Sequence, residues 1–149
     1  MPVMCTAFIL LICSFTQLKK TKLEHISIQY LIEFIEKSEI DLKSTQERLC
    51  IPIIERLYKK MKIGIRFSGI KVDGDIIIDG HHRYLASLLA GVCLETLPAN
   101  KTSATKVSEW DAIEFDEDDW DTAAKILILN MKDAKYNGLT LEMLNELLK

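Results

Sequence analysis

The residues in this chain best suited to chemistry stand together at Asp79-Gly80-His81-His82-Arg83, directly after three isoleucines, Ile76-Ile77-Ile78. A run of β-branched residues that stops at an acid and a glycine reads as a strand ending in a turn. Tyr84 to Ala90 then reads as a helix closed by Gly91, so the two imidazoles and the guanidinium fall in its first turn. The unpaired N–H groups and the dipole at a helix start favour an anion. Arg83 offers a planar, bidentate donor matched to phosphate oxygens. His81 and His82 donate hydrogen bonds when neutral and add charge below about pH 6.5. Gly80 lets the backbone approach a ligand or turn through positive φ. Asp79 does not bind phosphate, but it is able to orient a histidine, hold a metal or act as a base. The plainer reading is that Asp79 caps the helix and the histidines are surface residues. Against it, two of the three histidines in the chain are adjacent here and an arginine follows.

The elements that must position these residues show in the periodicity. Lys22 to Lys37 has helical spacing. A second helix runs from a cap at Ser44 or Thr45, through Pro52 in its first turns, to Gly64. Phe67 to Val72 and Ile76 to Ile78 are β-rich runs split by Asp73-Gly74, a strong hairpin signal. Val92 to Leu97 and Val107 to Phe115 read as strands. Asp116 to Asp119 reads as the acidic opening of a helix that continues to about Met131. Asn137-Gly138 makes a turn, and Thr140 caps a last helix to Leu148. The fold class expected is α+β, a single domain over residues 21–149 with a small mixed sheet flanked by helices.

Composition sets wider bounds. The 149 residues suit one domain, and 48% hydrophobic with 28% charged residues is ordinary for a globular chain. The net charge of -3 does not mark a nucleic-acid binder, but its distribution is uneven. Lys43 to Arg83 holds nine Lys/Arg against five Asp/Glu, and Val107 to Asp121 holds eight acids and no base. A basic middle suits an anion site. Arg48, Lys59, Lys60, Lys62 and Arg66 are able to steer a nucleotide or nucleic acid, or simply solvate helix faces. The acids of 116–121 read as caps and solvated groups rather than a metal cluster, and Trp110 and Trp120 as core residues. The four cysteines lack zinc spacing and read as small buried hydrophobes of a reducing compartment. Val3 to Phe15 is almost wholly apolar, too short to span a bilayer, and lacks the basic start of a signal peptide. No integral membrane anchor is expected, and the location expected is cytoplasmic, with export the alternative if residues 1–20 are a signal.

Asp-Gly-His-His-Arg-Tyr after a β-hairpin and before a helix ending in Gly resembles the ParB/sulfiredoxin superfamily, in its Asp-Gly-His-His-Arg branch of ParB-like nuclease-type domains and a free-serine kinase. The resemblance covers about residues 43 to 98. It implies that Gly80, His81, His82 and Arg83 cradle the phosphates of a nucleotide, ATP, ADP or CTP, with Mg²⁺ arriving on the phosphates. It also implies catalytic roles for Glu47, Asp79 and His81, with Glu55 as the alternative upstream carboxylate. Read as structure, Glu47 is a first-turn helix acid. Two departures narrow the resemblance. The sulfiredoxin cysteine before His-Arg is replaced by His81, so sulfinic-acid repair is not expected. The partition-protein Gly-Glu-Arg-Arg pattern is absent, and so is DNA segregation from the expectations. What remains is phosphoryl or phosphodiester chemistry as nuclease, NTPase or small-molecule kinase, on a nucleotide, a phosphorylated small molecule or nucleic acid. A non-catalytic nucleotide-dependent binding module, or a toxin or effector module, is the alternative.

Overall fold

The computed structural model describes residues 25–149. The apolar segment 1–20 and the expected start of the first helix lie outside the described residues. The fold is a small α+β domain. In chain order its elements are α1 (Ile28–Lys37), β1 (Arg48–Cys50), α2 (Ile51–Lys62), β2 (Ile70–Asp73), β3 (Ile76–Asp79), α3 (His81–Ala90) and β4 (Thr96–Pro98). A 3₁₀ turn (Trp110–Ala112), β5 (Glu114–Asp116), α4 (Ala123–Tyr136) and α5 (Leu141–Leu147) follow. β2 and β3 form the expected hairpin, turning at Gly74 with φ +60°, and β4 lies parallel on the far side of β2. The segment Lys43–Ser44 extends this sheet beyond β3 through a bridge to Ile76 and a second bridge to Ser108. β1 and β5 pair in parallel as a separate two-stranded sheet.

The core lies where α2 and α3 pack against each other and against the hairpin. Leu49, Ile54, Ile77 and Leu85 are fully buried there, and Trp110 closes one side with its indole N–H donating to the Leu42 carbonyl at 2.7 Å. A smaller cluster of Ile65, Ala134 and Leu144 seats α4 and α5. A pair at 2.6 Å between Lys60 and Asp133 fastens α4 to α2. Among the described residues no helix is long and apolar enough to cross a membrane.

Several expectations need correction. Ser44 and Thr45 cap no helix: the chain first runs extended, Arg48–Cys50 pairs with Glu114–Asp116, and α2 starts only at Ile51 with Pro52 in its first turn. The acids 116–119 do not open a helix. They belong to the end of β5 and a loop, and α4 starts at Ala123 under a Thr122 cap. Of the expected strand 92–97 only Thr96 and Leu97 pair, within β4, and of 107–115 only Glu114 and Phe115 pair within β5, with an isolated bridge at Ser108. Trp120 is 46% exposed and is not a core residue, and Cys93 is exposed as well. His25 precedes α1 rather than lying on it, and its ring pairs with Glu55 at 3.1 Å.

Candidate functional site

The site is built around the N-terminus of α3. β3 ends at Asp79, Gly80 turns the chain with φ +99°, and His81 begins the helix. No side chain caps this end, and the first backbone bond into the helix is Tyr84 N–H to the Gly80 carbonyl at 2.8 Å. The N–H groups of the preceding turn thus point outward from the helix start with the positive end of its dipole. Glycine is required at 80 on two counts. Its φ lies in the left-handed region, and a Cβ there would stand 2.7 Å from Ile70 Cγ2 and 2.9 Å from Arg83 Nη2.

The two imidazoles point in different directions, as adjacent helical residues must, yet they do similar work. His81 is buried, and its Nε2 accepts from the Thr45 backbone N–H at 3.0 Å. The Thr45 hydroxyl lies 3.1 Å from the same nitrogen and donates to the Ile77 carbonyl at 2.7 Å. His82 Nε2 accepts from the Cys50 backbone N–H at 3.0 Å. Each ring therefore ties a piece of the 45–50 segment to the helix, and each is the tautomer with Nε2 unprotonated. Burial pushes both rings down to about 4. For His81 the Asp79 charge and the Ile77 carbonyl act weakly the other way, while for His82 the neighbouring His81 adds to the depression. Both are neutral at pH 7.

Asp79 neither caps α3 nor orients a histidine. Its side chain is 63% exposed, it accepts no hydrogen bond from the helix, and none joins it to either ring. Its nearest charged partner is Arg83, Nη2 to Oδ2 at 3.8 Å. The Arg83 guanidinium lies back over the hairpin, with Nη2 donating to the Gly69 carbonyl at 3.3 Å and Nε buried without a partner. Asp79 also stands opposite Lys71 in the hairpin, where the register slips.

Glu47 lines an open cleft of about 420 Å³ with Thr45, Ile78, Ala104, Thr105 and Lys106. Thr45 and Ile78 join this cleft to the α3 start, since Thr45 is bonded to His81 and Ile78 precedes Asp79. Glu55, the alternative carboxylate, is committed elsewhere: it accepts from the Ile26 N–H and pairs with His25 and Lys59. Among the described residues no cluster of three or more His, Cys, Asp or Glu suits a metal ion.

The acidic loop meets α3 at His82. Trp120 meets the His82 ring edge-on, with centroids 5.5 Å apart and planes at 82°. Its indole N–H donates to Asp116 Oδ2 at 2.8 Å, and Arg48 binds the other oxygen of the same carboxylate. Trp120 first, and then Arg48, hold the Asp116 carboxyl below its usual range. Arg56 bridges Asp119 and Asp121, Lys125 joins Asp121, and the Cys50 thiol donates to the Asp118 carbonyl at 3.4 Å. The basic residues Arg48 and Arg56 are thus spent on this loop, and Lys59 and Lys60 on Glu55 and Asp133.

The Glu47 cleft thus meets the start of α3 through Thr45, which is bonded to His81, and through Ile78 at the end of β3, while Glu55 is committed elsewhere. Thr45, Thr105 and Lys106 line this cleft, and Trp120 touches His82, without having been expected there. They come from segments far apart in sequence, and no local pattern marks them. Set against models of known protein families, against curated proteins and against solved structures, the chain matches none of them.

Proposed function

We propose that this chain is a ParB/sulfiredoxin-like domain that binds the phosphates of a nucleotide at the start of α3 and acts on a phosphoryl or phosphodiester group. The observation that carries this reading is the uncapped start of a ten-residue helix opened by a left-handed Gly80, with Arg83 beside it and the Glu47 cleft next to it. In this reading the backbone N–H groups of His81, His82 and Arg83 face the phosphate oxygens. The Arg83 guanidinium exchanges its long contact with Asp79 for a phosphate. His81 and His82 position rather than react, because each Nε2 already holds the 45–50 segment against the helix. Positioned N–H groups and a guanidinium stabilise charge on a transferred phosphoryl group. Glu47 is the carboxylate placed to accept the proton of an attacking hydroxyl or water in the cleft. Asp79, an exposed carboxylate, would hold a Mg²⁺ ion carried in on the nucleotide, which would supply neutralisation of phosphate charge.

The test is calorimetric titration with ATP, ADP and CTP in Mg²⁺, followed by assays of nucleotide turnover and nucleic-acid cleavage. Arg83→Ala should weaken nucleotide binding roughly tenfold or more, the worth of a charge-assisted hydrogen bond. Glu47→Gln should bind as the wild type does and lose turnover. A wild-type chain that binds neither nucleotide nor inorganic triphosphate overturns the reading. The fixed, neutral histidines favour a second reading, a module that binds nucleotide and turns none over. Saturable binding with no product after hours selects it.

A further inference from the structure

Trp120 is held in place by its neighbours without being buried. Its ring is fixed by the bond to Asp116 and by the His82 edge, and its loop is fastened by Arg48, by Arg56 at Asp119 and Asp121, and by the Cys50 thiol at Asp118. A tryptophan serving only as packing is expected to hide most of its large apolar surface, but this one stays 46% exposed. The other tryptophan shows the contrast, since Trp110 is buried at 8% exposure and packs on Tyr84. A rigid, half-exposed indole is what a stacked ring needs, because its ordering cost is already met before the ligand arrives.

Its position gives the ligand a direction. His82, which Trp120 touches, is the second residue of α3, so the indole stands one side chain away from the N–H groups of the first turn. The loop around it carries Glu117 and Asp118, both exposed and neither in an ion pair. Acids there repel a phosphate but tolerate a neutral ring, and carboxylates accept from exocyclic amino groups. The start of α3 with Arg83 has the opposite preference.

We propose that Trp120 is the platform on which the base of a bound nucleotide stacks while its phosphates lie at the start of α3. The proposal deepens the phosphate-site reading given above and rests on it. The ligand class is a nucleotide, base and phosphates together, rather than a bare phosphate or a phosphorylated aliphatic compound.

The experiment compares ATP with inorganic triphosphate, both with Mg²⁺, by calorimetry and tryptophan fluorescence. Binding of ATP roughly tenfold or more tighter than triphosphate, with quenching of the exposed indole by ATP alone, is expected from base–aromatic stacking. Trp120→Ala should remove most of that tenfold advantage and leave triphosphate binding within about twofold. Trp120→Phe should keep at least a third of it, since a smaller ring still stacks. Circular dichroism melts of both variants establish that the fold is retained. Equal wild-type affinity for ATP and triphosphate overturns the platform and leaves the phosphate site standing. So does a Trp120→Ala loss that is the same for both ligands. Failure of the wild type to bind either ligand overturns the phosphate site and the platform with it.

Discussion

Gly80, His82 and Asp79 are neighbours whose side chains answer to different demands, and substitutions should separate them. Gly80→Ala adds a Cβ 2.7 Å from Ile70 Cγ2 at a φ of +99°. The left-handed conformation alone costs about 1–2 kcal/mol, so a loss of at least 2 kcal/mol in denaturant unfolding is expected once the contact is included. A variant that unfolds with the wild-type midpoint would show that the turn relaxes freely. His82→Ala leaves the Cys50 N–H without its acceptor, and an orphaned buried donor costs about 1–3 kcal/mol. Asp79 is different, being exposed and only 3.8 Å from Arg83. Asp79→Asn should change stability by no more than about 0.5 kcal/mol, as weak exposed pairs do. Any larger effect of Asp79→Asn on turnover then belongs to chemistry, read by comparing its melting midpoint with its rate.

Among the elements, the loop between β5 and α4 is tied to α2 by Arg56 at two carboxylates. Arg56 pairs with Asp119 and with Asp121, whose side chain is only 3% exposed. Removing one partner of a buried ion pair costs about 3–5 kcal/mol because the other charge is left in a poor environment. Lys125 also reaches Asp121 and moderates the loss, so Arg56→Ala should destabilise by about 2–3 kcal/mol. The same variant should raise hydrogen exchange across 117–121 before that of α3. Equal protection of the loop in wild type and variant would mean that β5 and Trp120 hold it without Arg56.

For the whole molecule, the two imidazoles set a pH limit. Both have pKa values near 4 when folded because of burial, against about 6.5 in an unfolded chain. Between these values the unfolded chain binds more protons, so stability rises with pH across the window. The contribution is fully present above about pH 6.5 and is lost as pH falls toward 4. The slope approaches about 1.4 kcal/mol per pH unit for each ring. Urea titrations at pH 7, 6, 5 and 4.5 should show this loss, and His82→Gln should roughly halve it. A stability that stays flat from pH 7 to 4.5 would mean that the folded rings protonate as readily as unfolded ones, and that Nε2 is not held as the acceptor of the Thr45 and Cys50 N–H groups.

What the sequence by itself determined is what short-range physics determines. Asp73-Gly74 between two β-branched runs makes the hairpin, Gly80 and Gly91 bound α3, and Thr140 caps α5, each within a few residues of its cause. The α+β class and the gathering of 79–83 at one helix start follow from those local signals. The tertiary structure decided whatever depends on a distant partner. Arg48–Cys50 is extended only because Glu114–Asp116 lies beside it, so helical spacing upstream of Pro52 misplaced the start of α2. The acids 116–121 resemble a helix opening, but Asp116, Asp119 and Asp121 pair with Arg48 and Arg56, which no local pattern connects to them. Asp79 had seemed the natural partner of the histidines because it is adjacent. Both rings turn instead to backbone N–H groups at Thr45 and Cys50, more than thirty residues away. A buried N–H must find an acceptor wherever the fold brings one, and only packing determines which side chain that is.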